Sequence, residues 1–409
     1  MTAPTTDLAT LTKAQAYGLG FDLVGITALG PSETAAAYDQ WIAEGRHGTM
    51  EYLARGREKR HDSRLPYPGA VTAIVVAMHY GGREPSGPVA RYARGDDYHD
   101  VMVDRLNALH RWIEERAGTA IAGKAYVDTG PILERDLARR AGLGWQAKNT
   151  NLIHPQLGSF FFIGALLVGV ELAHDAPFEG DRCGTCTRCI DACPTGAITA
   201  PRELDATRCI SYLTIELKGE IEESLRPAMG GLVYGCDICQ EVCPWNVRFS
   251  RELAEDSPFK PREFLRGKDA RQLSRDLLVM SQEEFSAAFR KSPMKRAKLR
   301  GLKRNAAVVL RNVGTADDVD VLTRALGDEE PLVREHAVRA LARRRGDAHH
   351  NHCSTRRNLL SRLRGPACTE SPVTFPDPSR RKVTARKNGL ADVNSSVPTW
   401  TSGMRPWRK

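Results

Sequence analysis

Eight of the ten cysteines fall between residues 181 and 246, in two runs whose spacing could hold metal. The first is Cys183-x2-Cys186-x2-Cys189-x3-Cys193-Pro194; the second is Cys236-x2-Cys239-x3-Cys243-Pro244, with Cys209 upstream. The first run has the bacterial ferredoxin spacing. There, three thiolates on one loop hold three corners of a 4Fe–4S cubane and the fourth cysteine serves the other cluster. Interleaving gives Cys183, Cys186, Cys189 and Cys243 to one cluster, and Cys193, Cys209, Cys236 and Cys239 to the other. Two four-cysteine zinc sites are the alternative, since C-x2-C pairs also bind zinc. A C-x2-C-x2-C loop crowds a tetrahedral ion, however, and suits a cubane. The second run lacks the first cysteine of the standard motif, so Cys209 must replace it across a gap of 26 residues.

A pair of clusters relays single electrons but performs no chemistry alone, so an electron acceptor is expected elsewhere in the chain. The segment Tyr126-Val127-Asp128-Thr129-Gly130-Pro131 places an acid at the end of a short strand, Lys124–Asp128. Ligands gather at strand C-termini in α/β folds. A carboxyl desolvated by a flat apolar cofactor could donate a proton. Capping of the following helix, Ile132–Ala141, is the competing job for this aspartate. Gly142, Gly144 and Gly158 would let backbone lie against a bulky ligand, or simply make turns. Neither G-x-G-x-x-G after a strand nor G-x4-G-K-[ST] occurs, which argues against nicotinamide and P-loop nucleotide chemistry.

The elements that must position these residues alternate. Helical patterns at 8–20, 35–55 and 98–116 are interleaved with strands at 21–28 and 71–79. Phe160–Val170 reads as a buried strand pair and is too short to span a bilayer. The fold class read from this order is an α/β domain, a ferredoxin-like two-cluster domain and a C-terminal α-helical HEAT-like repeat domain. The corresponding boundaries are 1–178, 179–250 and 251–344, followed by a disordered or atypical basic tail at 345–409. The repeat rests on RNAAVVL (304–310) and REHAVRAL (334–341), about 30 residues apart.

Length and charge narrow the class. The 409 residues are 41% hydrophobic and 27% charged, as in a soluble enzyme of several domains. Of the 59 basic and 50 acidic residues, the tail holds 13 and 4, leaving residues 1–344 with 46 of each. The basic pI therefore says nothing about the folded body. One stretch is different: residues 290–304 hold eight basic residues and no acid. Within it Lys295, Arg296, Lys298, Arg300, Lys303 and Arg304 are candidate phosphate contacts, with a solvated helix face as the alternative. The N-terminus shows no export pattern, so a cytoplasmic protein with reduced thiols and no membrane contact is expected.

Taken together, LPYPGAVTAIVVAMHY (65–80), ARYARGDDYHD (90–100), YVDTGPILER (126–135), RAGLGWQAKNT (140–150) and GSFFFIG (158–164) resemble the epoxyqueuosine reductases. So do both cysteine runs, RCISYLTIE (208–216) and SPMKRAKLRGLKRNAAVVLRN (292–312). The resemblance covers roughly residues 5–344. It implies a cobalamin-dependent, two-cluster iron–sulfur enzyme related to the reductive dehalogenases. The implied reaction reduces epoxyqueuosine to queuosine at the wobble position of tRNA, the last step of queuosine biosynthesis. Asp128 matches the family's proton donor. Arg60, Asp128, Leu152 and Ile163 align with implied cobalamin contacts; Ser211, Tyr212 and Asp237 lie beside cluster cysteines, where they could touch the corrin; no protein ligand to cobalt is implied. The partners are the anticodon loop of tRNA and an unidentified low-potential electron donor, with the protein a monomer. Alternatives are a dehalogenase-like enzyme acting on a small organohalide and a non-enzymatic ferredoxin-like carrier.

Overall fold

The computed structural model describes residues 5–342. Expectations for the tail, Cys353 and Cys368 included, lie outside the described residues. Among these, no helix is long and apolar enough to cross a membrane.

A four-stranded sheet organises the N-terminal part. Its strands are β1 (Leu23–Ala28), β2 (Thr72–His79), β3 (Gly123–Tyr126) and β4 (Phe161–Val168), in the order β1-β2-β4-β3. Every residue of β2 is buried, as its unbroken apolar run requires of a central strand covered on both faces. The helices Thr5–Gly18 and Tyr98–Ala117 cover one face, where Met102, Leu106 and Leu109 meet Ile74, Val76 and Leu166. The short helix Glu134–Arg140 covers the other, setting Leu137 and Ala138 against Val75, Ala77 and Leu167. Each buried aliphatic side chain contributes about 1.5–3 kcal/mol.

Two sequence expectations need correction. All three pairings are antiparallel: Leu23 faces Ala77, Thr72 faces Val168, and Gly123 faces Val168. Alternating helices and strands do not fix strand direction when the connections are as long as 29–71 and 127–160. The crevice rule for parallel sheets therefore gives no support to Asp128, which follows the edge strand β3. Second, Phe161–Val168 is one strand, because Gly164 stays in register opposite Val76 rather than turning the chain.

The cysteine region is built of short pieces: the helices Arg188–Asp191, Ile210–Ile215, Ile238–Glu241 and Pro244–Phe249, and the hairpin Ile198–Ala200/Glu203–Leu204. After it the chain is helical, with Ala270–Val279, Gln282–Ala288, Lys298–Val313 and Val319–Arg324 followed by a helix at 331–342. Asp269 caps the first of these by accepting from the Gln272 N–H at 2.7 Å. Ser281 and Glu284 close a capping box on the second. Leu277, Leu302, Ala306, Val309 and Val333 form the core of these helices, which continues into Val89, Ala93, Val233 and Tyr234.

Candidate functional site

The cysteines influence one another mostly within two sets. Cys189 feels the charges of Cys183 and Cys243, and Cys243 feels those of Cys183 and Cys186. Cys209 feels Cys193; Cys236 feels Cys209 and Cys193; Cys239 feels Cys236 and Cys209 and, last among its neighbours, Cys189 of the other set. The stronger couplings run along the two interleaved groups expected from the spacing. Cys183, Cys186, Cys189 and Cys243 also line one cavity of about 680 Å3. Among the described residues, no three Cys, His, Asp or Glu side chains crowd one point closely enough for a single ion.

Local structure serves the sulfurs. Trp145 donates its indole N–H to Cys183 Sγ at 3.4 Å, and the Ala197 N–H points at Cys193 Sγ at 3.3 Å. Cys209 and Cys243 sit at the N-caps of Ile210–Ile215 and Pro244–Phe249, where first-turn amides face their sulfurs. Such N–H···S bonds tune cluster potentials. Burial pushes most of these thiols up, Cys236 to about 12 and Cys239 well above the usual thiol range. Cys193 is the exception: amide N–H groups and Thr195 outweigh its burial and hold it down. Buried thiols of this kind become ligands only when bound cations supply compensating charge, so the donor set fits iron.

Asp128 stands two residues past β3 with φ 57°, in the left-handed region. A non-glycine residue held there costs about 1–3 kcal/mol, and such residues cluster at functional sites. The capping role is excluded, because Leu133 is the N-cap of Glu134–Arg140. The Asp128 carboxylate is exposed and accepts from the Tyr98 hydroxyl at 2.9 Å on Oδ2. Tyr98 begins its helix stacked between Phe162, at 4.2 Å and 6°, and His99, at 4.0 Å. His99 Nδ1 is tied in turn to Asp97 Oδ1 at 2.6 Å.

Six residues on, Glu134 is half-buried as a residue, but its Oε1 is shut off from water and has no partner among the described residues. Burial, reinforced by the Asp128 charge, pushes this carboxyl up to about 8. Tyr52 lies in the same field. It feels Glu216, Arg296 and Asp128, and the Arg296 guanidinium stands 5.4 Å from its ring centroid. Tyr98, Glu134 and Tyr52 were not singled out from sequence. The first two lie inside the motifs quoted for the resemblance, yet nothing in their spacing marks them.

The other candidates separate. Arg60, Leu152, Tyr212 and Asp237 are all buried. Tyr212 Oη accepts from the Thr49 N–H at 2.9 Å, and Asp237 Oδ2 accepts from the Arg91 N–H at 2.8 Å, leaving Oδ1 unpartnered. Ile163 and Ser211 are half-buried. Gly144 and Gly158 pack against the Ile153 carbonyl and the Asn246 side chain, so their missing Cβ atoms serve chain packing rather than a ligand.

In the basic stretch, Lys295, Arg296 and Lys298 are exposed and Arg300 is half-buried, with the Arg296 guanidinium already engaged by Glu216 at 2.9 and 3.1 Å. Two members need correction. Arg304 is 1% exposed and donates to the carbonyls of Leu213, Leu217 and Gly219. Lys303 is spent on Asp328 at 2.8 Å. A charge count along the chain cannot see that both side chains point inward.

Comparison with known proteins agrees with this chemistry. Residues 182–246 match the family model "4Fe-4S double cluster binding domain", which makes this an iron–sulfur protein. Residues 60–129 match the model "Epoxyqueuosine reductase QueG, DUF1730". The epoxyqueuosine reductase of Leadbetterella byssophila is 43% identical over 302 residues, covering 73% of this chain and 96% of that one. The Escherichia coli enzyme is 39% identical over 346 residues, covering 82% and 89%. Among solved structures, Bacillus subtilis epoxyqueuosine reductase, described with its aspartate-bearing catalytic loop swung out of the active site, superposes with a TM-score of 0.74 at 30% identity. It covers 82% of this chain and 90% of that one. An epoxyqueuosine reductase with an epoxyqueuosine-modified tRNA-Tyr stem loop superposes with a TM-score of 0.73 at 30% identity, covering 82% and 90%. The chain belongs to the epoxyqueuosine reductase family.

Proposed function

We propose that this protein reduces epoxyqueuosine in tRNA to queuosine in the cytoplasm. Opening and deoxygenating the epoxide consumes two electrons and two protons and releases water. The observation that carries the reading is the exposed Asp128 carboxyl, held in a left-handed backbone by Tyr98, within a family whose Bacillus subtilis member has a catalytic loop bearing an aspartate.

Each residue then has a task. Asp128 donates a proton to the epoxide oxygen as the C–O bond breaks. Tyr98 aims the carboxyl, and its ring stacking keeps it from swinging away. Glu134, protonated at neutral pH, is a second proton store close to Asp128. The two cysteine sets would each hold a 4Fe–4S cluster, which would supply one-electron transfer. Cobalamin, if bound, would supply a strongly reducing centre for cleavage of the epoxide C–O bond. The exposed Asp128 acid, with the exposed Tyr52 ring within reach of its charge, offers such a cofactor one acidic group and one aromatic face. Arg60, Leu152, Ile163, Ser211, Tyr212 and Asp237 are its proposed neighbours. The division of labour at 1–178, 179–250 and 251–344 belongs to the same reading, with the last part a HEAT-like RNA clasp. Lys295, Arg296, Lys298 and Arg300 supply phosphate contacts, and the wobble base is splayed out toward Asp128.

The test is anaerobic turnover. Protein loaded with iron, sulfide and cobalamin is given a chemical reductant and an epoxyqueuosine-containing tRNA stem loop, and the nucleosides are weighed by mass spectrometry. Loss of one oxygen from the modified base is expected. An unaltered base with fully loaded protein rejects the proposal.

A further inference from the structure

The cavity beside Cys183, Cys186, Cys189 and Cys243 has a rim of one sign. Lys148, Arg182, Arg188 and Arg248 line it, and no aspartate or glutamate does. The three arginines are exposed, and among the described residues none forms an ion pair with a carboxylate. Their closest ring contacts are apolar: the Arg182 guanidinium stands 5.2 Å from the Phe178 centroid, and that of Arg248 stands 5.2 Å from Phe249. Lys148 alone is engaged, donating to the carbonyls of Gly184 at 2.6 Å and Cys186 at 3.0 Å. Inside this basic rim the surface turns apolar. Trp245 and Phe249 line the cavity from one face of the helix Pro244–Phe249, their rings stacked at 5.7 Å.

Four basic side chains and no acid around one cavity make a local field of one sign, and the cavity they surround is lined by aromatic rings. A basic ring around an apolar, aromatic centre has the anatomy of a protein interface. The centre supplies contact and the ring selects and steers a partner of opposite charge. Phosphate binding would use the charges but leave the stacked rings of Trp245 and Phe249 without a role. The rim also surrounds one set of cluster ligands rather than Asp128, where the RNA base must go.

We infer that this rim is the docking surface for a small acidic one-electron carrier protein, which reduces the chain through the cluster held by Cys183, Cys186, Cys189 and Cys243. The inference rests on the reductase reading above, which requires electrons from outside. At each encounter the carrier is oxidised by one electron and the cluster is reduced by one. Two encounters supply the two electrons consumed per epoxide, while the protons come from the acid site and solvent. Docking beside the cluster keeps the transfer distance short and leaves the opposite set, around Cys209 and Cys236, to face inward.

The test uses the cluster-loaded full chain and an acidic flavodoxin, with binding measured by calorimetry at several salt concentrations. For the unmodified chain, affinity should fall steeply as salt rises. The double variant Arg188→Glu/Arg248→Glu should bind at least about tenfold more weakly, with a flatter salt dependence. Its iron content and visible spectrum should be unchanged. If the charge reversals disturb the cluster, the milder Arg188→Gln/Arg248→Gln, which only removes charge at the same two exposed positions, gives a second reading, again expected to weaken binding. Salt-independent binding, or binding by both double variants equal to that of the unmodified chain, overturns the proposal. So does loss of tRNA stem-loop binding with flavodoxin binding intact, which would assign the rim to RNA. The reductase reading is judged separately, by turnover with a chemical reductant that needs no docking surface.

Discussion

The Tyr98 hydroxyl and the Asp128 carboxylate meet at 2.9 Å across a gap of 30 residues in sequence. One comes from the first turn of a long helix and the other from a left-handed turn after an edge strand. Tyr98→Phe should therefore keep its stacking on Phe162 and leave the fold intact. Losing the hydrogen bond should lower kcat about tenfold, the equivalent of roughly 1–1.5 kcal/mol, with KM nearly unchanged. Steady-state kinetics beside a thermal melt would check this; an unchanged kcat removes Tyr98 from the site.

Asp128→Asn keeps shape and hydrogen-bonding capacity but cannot deliver the proton. Turnover should drop by about 10²–10⁴. Iron content and cobalamin uptake, read from the visible spectrum, should match the unmodified protein. Retained turnover would pass the proton-donor role to another group.

Glu134 links acid chemistry to stability. Its carboxyl titrates near 4.5 in the unfolded chain and near 8 in the folded one, because burial and Asp128 disfavour its charge. The folded state thus binds the proton more tightly. The resulting stabilisation is complete below pH 4.5 and is lost as pH rises through 8. In Glu134→Gln this contribution cannot vary, so denaturant midpoints measured between pH 5 and 9 should decline less steeply. Parallel curves for the two proteins would contradict the buried state of Oε1.

The basic stretch should divide in two. Lys295→Glu combined with Lys298→Glu alters exposed side chains. Tm should stay put, while tRNA stem-loop binding weakens with a shallower dependence on salt. Arg304→Ala instead strands the carbonyls of Leu213, Leu217 and Gly219, and should cost about 3 kcal/mol or more of stability. Thermal melts and filter binding on the three proteins would show whether the two halves differ in this way.

Cys209→Ala should remove one cluster and spare the other, since Cys209 is grouped with Cys193, Cys236 and Cys239 only. Iron should fall from about eight to about four atoms per chain. Iron analysis showing loss of both clusters, or of neither, would break the grouping.

The two-cluster region was legible in the sequence because ferredoxin spacing is local: three cysteines within seven residues define their own loop, and residues 182–246 match a double-cluster family model. β2 was legible for a similar reason, an unbroken apolar run from Ala73 to Met78. What failed depends on distance. Strand direction is decided by connections that leave no local pattern, so the alternation of strands and helices did not reveal that the sheet is antiparallel. Arg304 looked like its neighbours on the chain, and only packing distinguishes it. Glu134 sits in a quoted motif, but its shielding from water is created by other elements.

The buried Arg304 and its neighbour Asn305 carry a consequence for how the molecule ages. Arg304 grips the carbonyls of Leu213, Leu217 and Gly219, while Asn305 donates to those of Thr214 at 2.8 Å and Val233 at 2.9 Å. The segments so gripped lead directly from Cys209 and into Cys236. Oxygen damage to the metal centre there would loosen the anchorage of the helix whose start carries Lys298 and Arg300, so an aerated sample should lose its hold on RNA as well as its colour.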